Sequence, residues 1–562
     1  MKYIYKLVCV FCAIGFFTSC DDILETDSEL VMYEKDNTLK NPTDSVYSVM
    51  GIIGKMQNIA DRVVLLGEIR GDLLKTTDAA NSDLKRLADF DFSQENKYNS
   101  VSDYYAVINN CNYFLHHVDT TLERRGHKIF KAEYAVVKAF RAWTYLQLAQ
   151  AYGNVPLITK PLLTEIEARE AMNQQRTSLA DICAYFINDI APYADEELPR
   201  WGGIGSHDSQ KFFIPVKALL GDLCLWAGRY EEAARWYHDY LSDRDEPITL
   251  GSNNRSYWYN TEFKGLVAGY SVVSNTERLS YIPMEARVFD GVVSDIPNIY
   301  NSTRENNYYY QVIPSAAVKT LSASQVYCME YKTDTETDTL YAPTTGFNDD
   351  MMIGDLRLYS LYSLNAVGGQ DEYSEYSNMR QNMGKITSSG ITTYRRTMVY
   401  LRYAEALNRA GLPQSAFAIL KYGICADNIA LYVDSIEQDK AADLIDFDKT
   451  IFTKEGTTGI HSFGSGDSQA NAYYVMPQPA DSLATYQDTV DYQMPLVEDM
   501  IINEMALEGA FEGYRYYDLM RVALRRGDAA YLADPVSKRN GETDDNLRQL
   551  LMNTNNWYLP LP

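Results

Sequence analysis

The stretch ALLGDLCLWAGRYEEAARWYHDYL, Ala218 to Leu241, decides how this chain is built. Apolar residues recur at helical spacing on both sides of Gly228, so it reads as two short helices joined by a tight turn. Leu220-Gly221 opens the first helix. Tyr230 and Ala233 start the second, and Tyr237 and Leu241 continue its face. The small residues Gly221 and Ala233 allow the two helices to approach closely.

This is the grammar of a tetratricopeptide unit. A second copy lies at VYLRYAEALNRAGLPQSAFAIL, Val399 to Leu420, where Gly411 precedes Ala416 by the same interval that separates Gly228 from Ala233. Tyr403-Ala404 takes the place of Leu220-Gly221. The copies are far from tandem, so the sequence is not that of a regular solenoid.

The helical pattern extends N-terminally. One helix is expected from Asn41 to about Ala60, broken by Gly67-Glu68-Ile69-Arg70-Gly71-Asp72. Lys75 to Tyr98 is polar and reads as loop. Val101 to Asp119 reads as helix, and KAEYAVVKAFRAWTYLQLAQAYG as a strong helix that Gly153 stops. It returns C-terminally in VEDMIINEMALEGAFEGYRYYDLMRVALRR. There Glu504, Glu508 and Glu512 recur every four residues on one helical face, and Arg515 and Arg521 flank Asp518. Ion pairing and helix-end charge are the expected roles.

Between the two repeat copies lie residues 246–395, rich in Gly, Ser, Thr, Asn and Tyr, with few helical periods. Loops, short helices and a few strands are expected. Loops on a rigid scaffold are where binding surfaces are commonly placed. Tyrosine is the compositional outlier, at 45 residues against 6 Trp and 19 Phe, and the insertion carries it in clusters. Tyr257-Trp258-Tyr259 and Tyr308-Tyr309-Tyr310 are the main ligand-contact candidates, because aromatic faces stack on sugars or peptides while tyrosine hydroxyls bond polar groups. Tyr98 and the Arg70/Asp72 loop are weaker candidates, and Trp201 among glycines is another, with loop packing as its expected role.

The 562 residues suffice for a large domain, and 46% apolar content suffices for a packed core. Net charge is −25. Such a surface repels nucleic acid and anionic headgroups, and a neutral ligand suits it better.

The start of the chain has a separate logic. Lys2 and Lys6 precede an apolar run of 11 residues, Leu7 to Phe17, well short of the roughly 20 that span a bilayer. A charged flank and a short apolar run ending in small residues form a secretory signal. Phe17-Thr18-Ser19-Cys20 looks like a lipobox, with Phe17 where leucine is usual, and makes Cys20 the expected lipid attachment site. Residues 1–19 are then the signal peptide, 20–40 a tether, 41–245 an N-terminal helical region, and 246–562 a C-terminal region that includes the insertion. Cleavage removes two lysines and no acid, so the mature charge moves to about −27.

Catalytic signals are weak. His116-His117 are adjacent, so on a helix they diverge by about 100° and do not form an i,i+4 metal pair. No H-E-x-x-H or phosphate-binding glycine loop occurs, and the one C-x-x-C, Cys9 to Cys12, leaves with the signal segment. Gly464-Ser465-Gly466-Asp467 lacks the G-x-S-x-G elbow and reads as a flexible turn. A paired-carboxylate hydrolase site is tertiary and leaves no sequence trace. Of the eight cysteines, Cys111 and Cys224 fall in helical patterns and read as small buried hydrophobes.

Taken in order, these pieces resemble the SusD/RagB family of Bacteroidetes outer-membrane lipoproteins. Four stretches carry the resemblance: the Cys20 lipobox; Ala139-Phe140-Arg141-Ala142 through Tyr152-Gly153-Asn154-Val155-Pro156-Leu157; Tyr400 through Asn408; and Glu508 through Arg521. The closing Leu559-Pro560-Leu561-Pro562 looks like the family's usual end. The resemblance implies an all-α fold of about four tetratricopeptide-like helix pairs with an irregular ligand face. It implies a non-enzymatic, cofactor-free binder, lipid-anchored (palmitate included) at the cell surface through the outer membrane. Such proteins act as a lid on a SusC-like TonB-dependent transporter and capture oligosaccharides or, in the RagB branch, peptides. A protein–protein scaffold is the third reading, and a long aromatic insertion argues against it.

Overall fold

The computed structural model describes residue 39 and most of residues 42–561; residues 1–38, 40–41, 206 and 562 and parts of 252–389 and 467–484 lie outside the description. The helices that make the frame are α1 (Pro42–Glu68), α2 (Ser82–Ala88), α3 (Val101–His117), α4 (Lys131–Tyr152), α5 (Leu179–Ile190), α6 (Val216–Trp226), α7 (Tyr230–Leu241), α8 (Arg396–Arg409), α9 (Pro413–Lys421), α10 (Ser435–Ala441), α11 (Tyr486–Glu508) and α12 (Arg515–Arg526). Strands are short: β1 (Leu74–Thr76), β2 (Tyr257–Asn260), β3 (Gly265–Ala268), β4 (Arg278–Pro283), β5 (Val312–Pro314), β6 (Gly390–Arg395) and ten others among the described residues. Among the described residues every sheet has two strands. No described helix is long and apolar enough to cross a membrane.

Four helix pairs are in contact: α1 with α3, α4 with α5, α6 with α7, and α8 with α9. Each pair touches the next, and α7 lies directly against α8 although the whole insertion separates them in the chain. The repeats that are far apart in sequence are therefore neighbours in space. Burying the apolar stripe of each pair needs another pair beside it, and the insertion leaves that stack uninterrupted.

The two repeat units close by the same device. Gly228 has φ +74° and Gly411 φ +85°, conformations that favour glycine. After each, the next amide reaches back to the carbonyl five residues earlier: Arg229 N to Cys224 O at 2.8 Å, and Leu412 N to Leu407 O at 3.0 Å. Gly221 has a second reason to be glycine. A Cβ there would sit 2.4 Å from the Tyr237 ring, so the close approach of α6 and α7 depends on its absence.

Two regions differ from the sequence reading. Residues 75–98 are not all loop. Asn81 Oδ1 accepts from Leu84 N at 3.0 Å and starts α2, whose Leu84, Leu87 and Ala88 are buried. Gly464 and Ser465 are not a flexible turn. Both are buried, and Ser465 Oγ donates to Asp355 Oδ2 at 3.2 Å. Cys111 and Cys224 are buried free thiols, and burial pushes the Cys111 thiol up to about 12.

Candidate functional site

The irregular region is fixed to the frame through charge. Glu504 and Glu508 lie one turn apart on α11, but the helix ends at Glu508, so Glu512 is not on the helical face expected for all three; it follows in the turn beyond and joins the row through Arg395, which it shares with Glu508. The cations that meet this row come mainly from the insertion. Arg357 Nη1 donates to Glu504 Oε1 at 2.6 Å and Glu508 Oε2 at 2.9 Å, while its Nη2 and Nε hold Asp355 at 2.7 and 3.0 Å. Arg395, at the end of β6, donates to Glu508 Oε1 and Glu512 Oε2, both at 2.7 Å, and to Glu277 Oε2 at 3.2 Å. Lys385 Nζ lies 2.8 Å from Glu512 Oε1. His461 Nδ1 and the Tyr474 hydroxyl each lie 3.0 Å from Glu504 Oε2.

Nearly all of this network is sealed from solvent; Arg357, Asp355 and Glu504 are 0% exposed. Burial pushes Glu504 up, but Arg357 and His461 outweigh it and hold the carboxyl at about 2. Glu512 is lowered in the same way, against burial, by Arg395 and Lys385. Glu277 goes the other way, since burial raises it more than Arg395 lowers it. Beside the network, β4 pairs antiparallel with β6 in the register Tyr281↔Thr392 and Ile282↔Ile391. The ladder ties two strands of the insertion to each other, and the charges root it on the frame.

The Gly67–Asp72 segment is a second anchor, and this corrects the expectation that Arg70 and Asp72 face a ligand. Glu68, at the end of α1, accepts from the backbone of Phe511 and Gly513, both at 3.0 Å, and burial drives its carboxyl up to about 8. Arg70 is buried; it donates to Leu66 O at 2.8 Å, Trp557 O at 2.9 Å and Tyr517 Oη at 3.1 Å, and lies 4.3 Å over the Tyr516 ring. Asp72 accepts two bonds from Arg515, at 2.6 and 2.9 Å. Both side chains clasp the C-terminal helices and tail to α1, so their polar atoms are used inside the fold.

Two more candidates are corrected on burial. Tyr98 is 7% exposed, with its hydroxyl 3.5 Å from Asn81 Nδ2 and the Lys97 ammonium 4.9 Å over its ring. Tyr310 is 0% exposed, and its carbonyl accepts from Thr77 Oγ1 at 2.9 Å. For Tyr257, Trp258 and Tyr259 the backbone forms β2, paired with β3 in the register Trp258↔Val267. Their side chains, together with Tyr308, Tyr309 and Cys20, lie outside the described residues. Trp201 packs edge-on against Phe213 at 5.0 Å and donates to Glu133 at 3.3 Å. His117 stacks on Tyr113 at 4.1 Å. Among the described residues no group of three or more His, Cys, Asp or Glu is arranged to hold a metal ion.

Sequence reasoning missed Arg357, Lys385, Glu277 and Asp222. One signal was present: Asp222 is the single charge inside the apolar run ALLGDLCLW. A charge placed there is buried only with a partner.

No family description matches the sequence, and no curated protein does. Solved structures do match. A SusD superfamily protein from Bacteroides vulgatus aligns over 93% of this chain and 96% of its own, with TM-score 0.56 and 14% identity. NanU of B. fragilis aligns over 92% and 95%, with TM-score 0.54 and 15% identity. A SusD-like carbohydrate binding protein from Bacteroides vulgatus aligns over 86% and 83%, with TM-score 0.51 and 15% identity. The protein is all-α with the tetratricopeptide-like SusD fold.

Proposed function

We propose that this protein is a nutrient-binding lipoprotein of the outer membrane, held at the cell surface by lipid on Cys20. It captures oligosaccharides on the face built by residues 246–395 and delivers them to a SusC-like TonB-dependent transporter without chemical turnover. The observation that carries this reading is architectural: an unbroken stack of four helix pairs carries a long, aromatic-rich insertion rooted on buried charges, and the same fold recurs in a SusD-like carbohydrate binding protein. A strongly acidic chain favours a neutral ligand.

Calorimetry of the lipid-free chain against a panel of neutral glycans and peptides tests the capture step. A glycan should bind unchanged in mass, and Trp258→Ala should weaken it at least tenfold. Binding only to peptides would move the protein to the RagB-like reading, and cleavage of the bound ligand would make it an enzyme. For the anchor, Cys20→Ala should shift the protein from the membrane to the soluble fraction. Retention of this variant in the membrane would remove Cys20 from its role.

A further inference from the structure

A largely enclosed cavity of about 50 Å³ lies where the frame, the root of the insertion and the C-terminal helices meet. Its wall takes Trp143 from α4, Trp226 from α6, Thr393 from β6, Arg402 from α8, and Tyr514 and Asp518 around α12. Aromatic faces and charged groups thus share one small space. The charges are mostly satisfied within the chain. Asp222, also in the wall, accepts from the Tyr237 hydroxyl at 2.5 Å, the Tyr394 hydroxyl at 2.6 Å and Arg402 Nη1 at 2.8 Å. Asp518 Oδ1 accepts from Arg521 Nη2 at 2.9 Å.

One atom is left over. Asp518 is 4% exposed, and its Oδ2 meets no hydrogen-bond donor among the described residues. A buried carboxylate oxygen without a donor is destabilising, and native structures almost always supply a partner. Burial also pushes the Asp518 carboxyl upward, ahead of the lowering effect of Arg521.

We propose that this cavity is a hydration site: a cluster of about three water molecules that donates to Asp518 Oδ2 and bridges α4, β6, α8 and α12. The volume selects the occupant. A water needs roughly 10–15 Å³ of such space, whereas an apolar guest as small as benzene occupies a cavity of about 150 Å³. A sugar ring therefore does not fit. The charge selects it too. Arg402 and Arg521 balance Asp222 and Asp518 around the cavity, so a neutral donor suits it better than a metal or ammonium ion. Because Thr392, Thr393 and Tyr394 of β6 belong to the wall, the waters tie the root of the insertion to the frame. They are part of the structure rather than a nutrient subsite, so the outcome is independent of what the insertion binds.

The test is crystallography of the mature, lipid-free chain, with parallel crystals soaked in rubidium chloride and pressurised with xenon. The expected result is ordered solvent with an oxygen 2.5–3.0 Å from Asp518 Oδ2, and neither rubidium nor xenon in the cavity. An empty cavity, or xenon inside it, would show that it is dry. An anomalous rubidium peak would make it a cation site. In Asp518→Leu crystals the water nearest position 518 should be lost, and its persistence would remove Asp518 as the group that holds it. The wild-type crystals decide the question if this variant does not fold.

Discussion

The helical frame and the insertion are held in place by different physics. Helices α6 and α7 meet through Leu219, Leu220, Leu223, Ala233, Ala234 and Leu241, all buried. The insertion meets the frame through Arg357, Lys385 and Arg395 against Glu504, Glu508 and Glu512. Apolar burial is non-directional, scales with area, and tolerates exchange of one hydrophobic side chain for another of like volume. A buried ion network is directional, since each cation must meet its own carboxylates or leave a charge stranded. The frame therefore needs only the right pattern to stack, while the insertion, whose described sheets are all two-stranded, is put in register by a few specific atoms.

Arg395→Met should break this difference most sharply. It takes a guanidinium away from Glu277, Glu508 and Glu512 in the interior, leaving Glu508 to Arg357 and Glu512 to Lys385, and a loss of about 3–5 kcal/mol is expected from chemical denaturation. Leu220→Ala, in the frame, should cost about 2–5 kcal/mol by leaving a cavity. The two losses respond differently to a second change. Adding Glu277→Gln to Arg395→Met should recover part of the stability, because a buried carboxylate that has lost its arginine is neutralised. No charge neutralisation should help Leu220→Ala. Equal behaviour of the two backgrounds would erase the distinction.

Titration sharpens it next. Glu504, in the network, and Glu405, which Arg521 and Arg525 together hold low against burial, both titrate at about 2 in the folded protein. An unfolded glutamate titrates near 4.3. Their contribution is present above that value and is lost as pH falls through about 2. Glu68 and Glu437 have the opposite sign, raised by burial to about 8 and about 7. Their contribution is present below about 4.3 and is lost as pH rises through 7 to 8. Glu68 clasps α1 to the Phe511–Gly513 segment, and Glu437 in α10 accepts from Ser415 N of α9 at 2.6 Å. Hydrogen-exchange protection, corrected for the intrinsic rate at each pH, should therefore fall first along α8 and α11, which carry Glu405 and Glu504, on acidification to pH 3, and first at the start of α9 above pH 8. Glu504→Gln should flatten the acid limb and Glu437→Gln the alkaline one. Uniform exchange across both regions at pH 3 would contradict the separation.

The same contrast explains what could be read in advance. Helical periodicity is local, so α1, α3, α4 and both repeat units could be placed from neighbouring residues, and Gly228 and Gly411 marked their turns. The glutamate stripe was also visible as a period of four. Its partners were not, because Arg357 lies 147 residues from Glu504 and Arg395 113 from Glu508, and nothing in a single sequence records that pairing. Arg70 and Asp72 misled for the same reason. A charged loop with two glycines looks exposed until Arg515 and Trp557, more than 400 residues away, close over it. The aromatic clusters are ambiguous in kind: Tyr310 has gone into the core, and the tyrosine count alone did not distinguish it from a residue that meets a ligand.

The smallest expected effect defines the edge of the comparison. Arg169 and Glu165 on the helix Glu165–Met172 form an i,i+4 pair at 2.5 Å, which by distance matches the contacts of Arg357. Their side chains are 76% and 79% exposed. Water and salt screen such a pair, and holding two long side chains in one geometry costs entropy, so the net gain is close to nothing. Arg169→Ala should leave the thermal midpoint within error of wild type in both low and high salt. A clear drop at low salt would mean that proximity alone makes an ion pair matter here. The silent result would leave burial, and the stranding of a charge that follows from it, as what separates the network under the insertion from every ion pair on the surface.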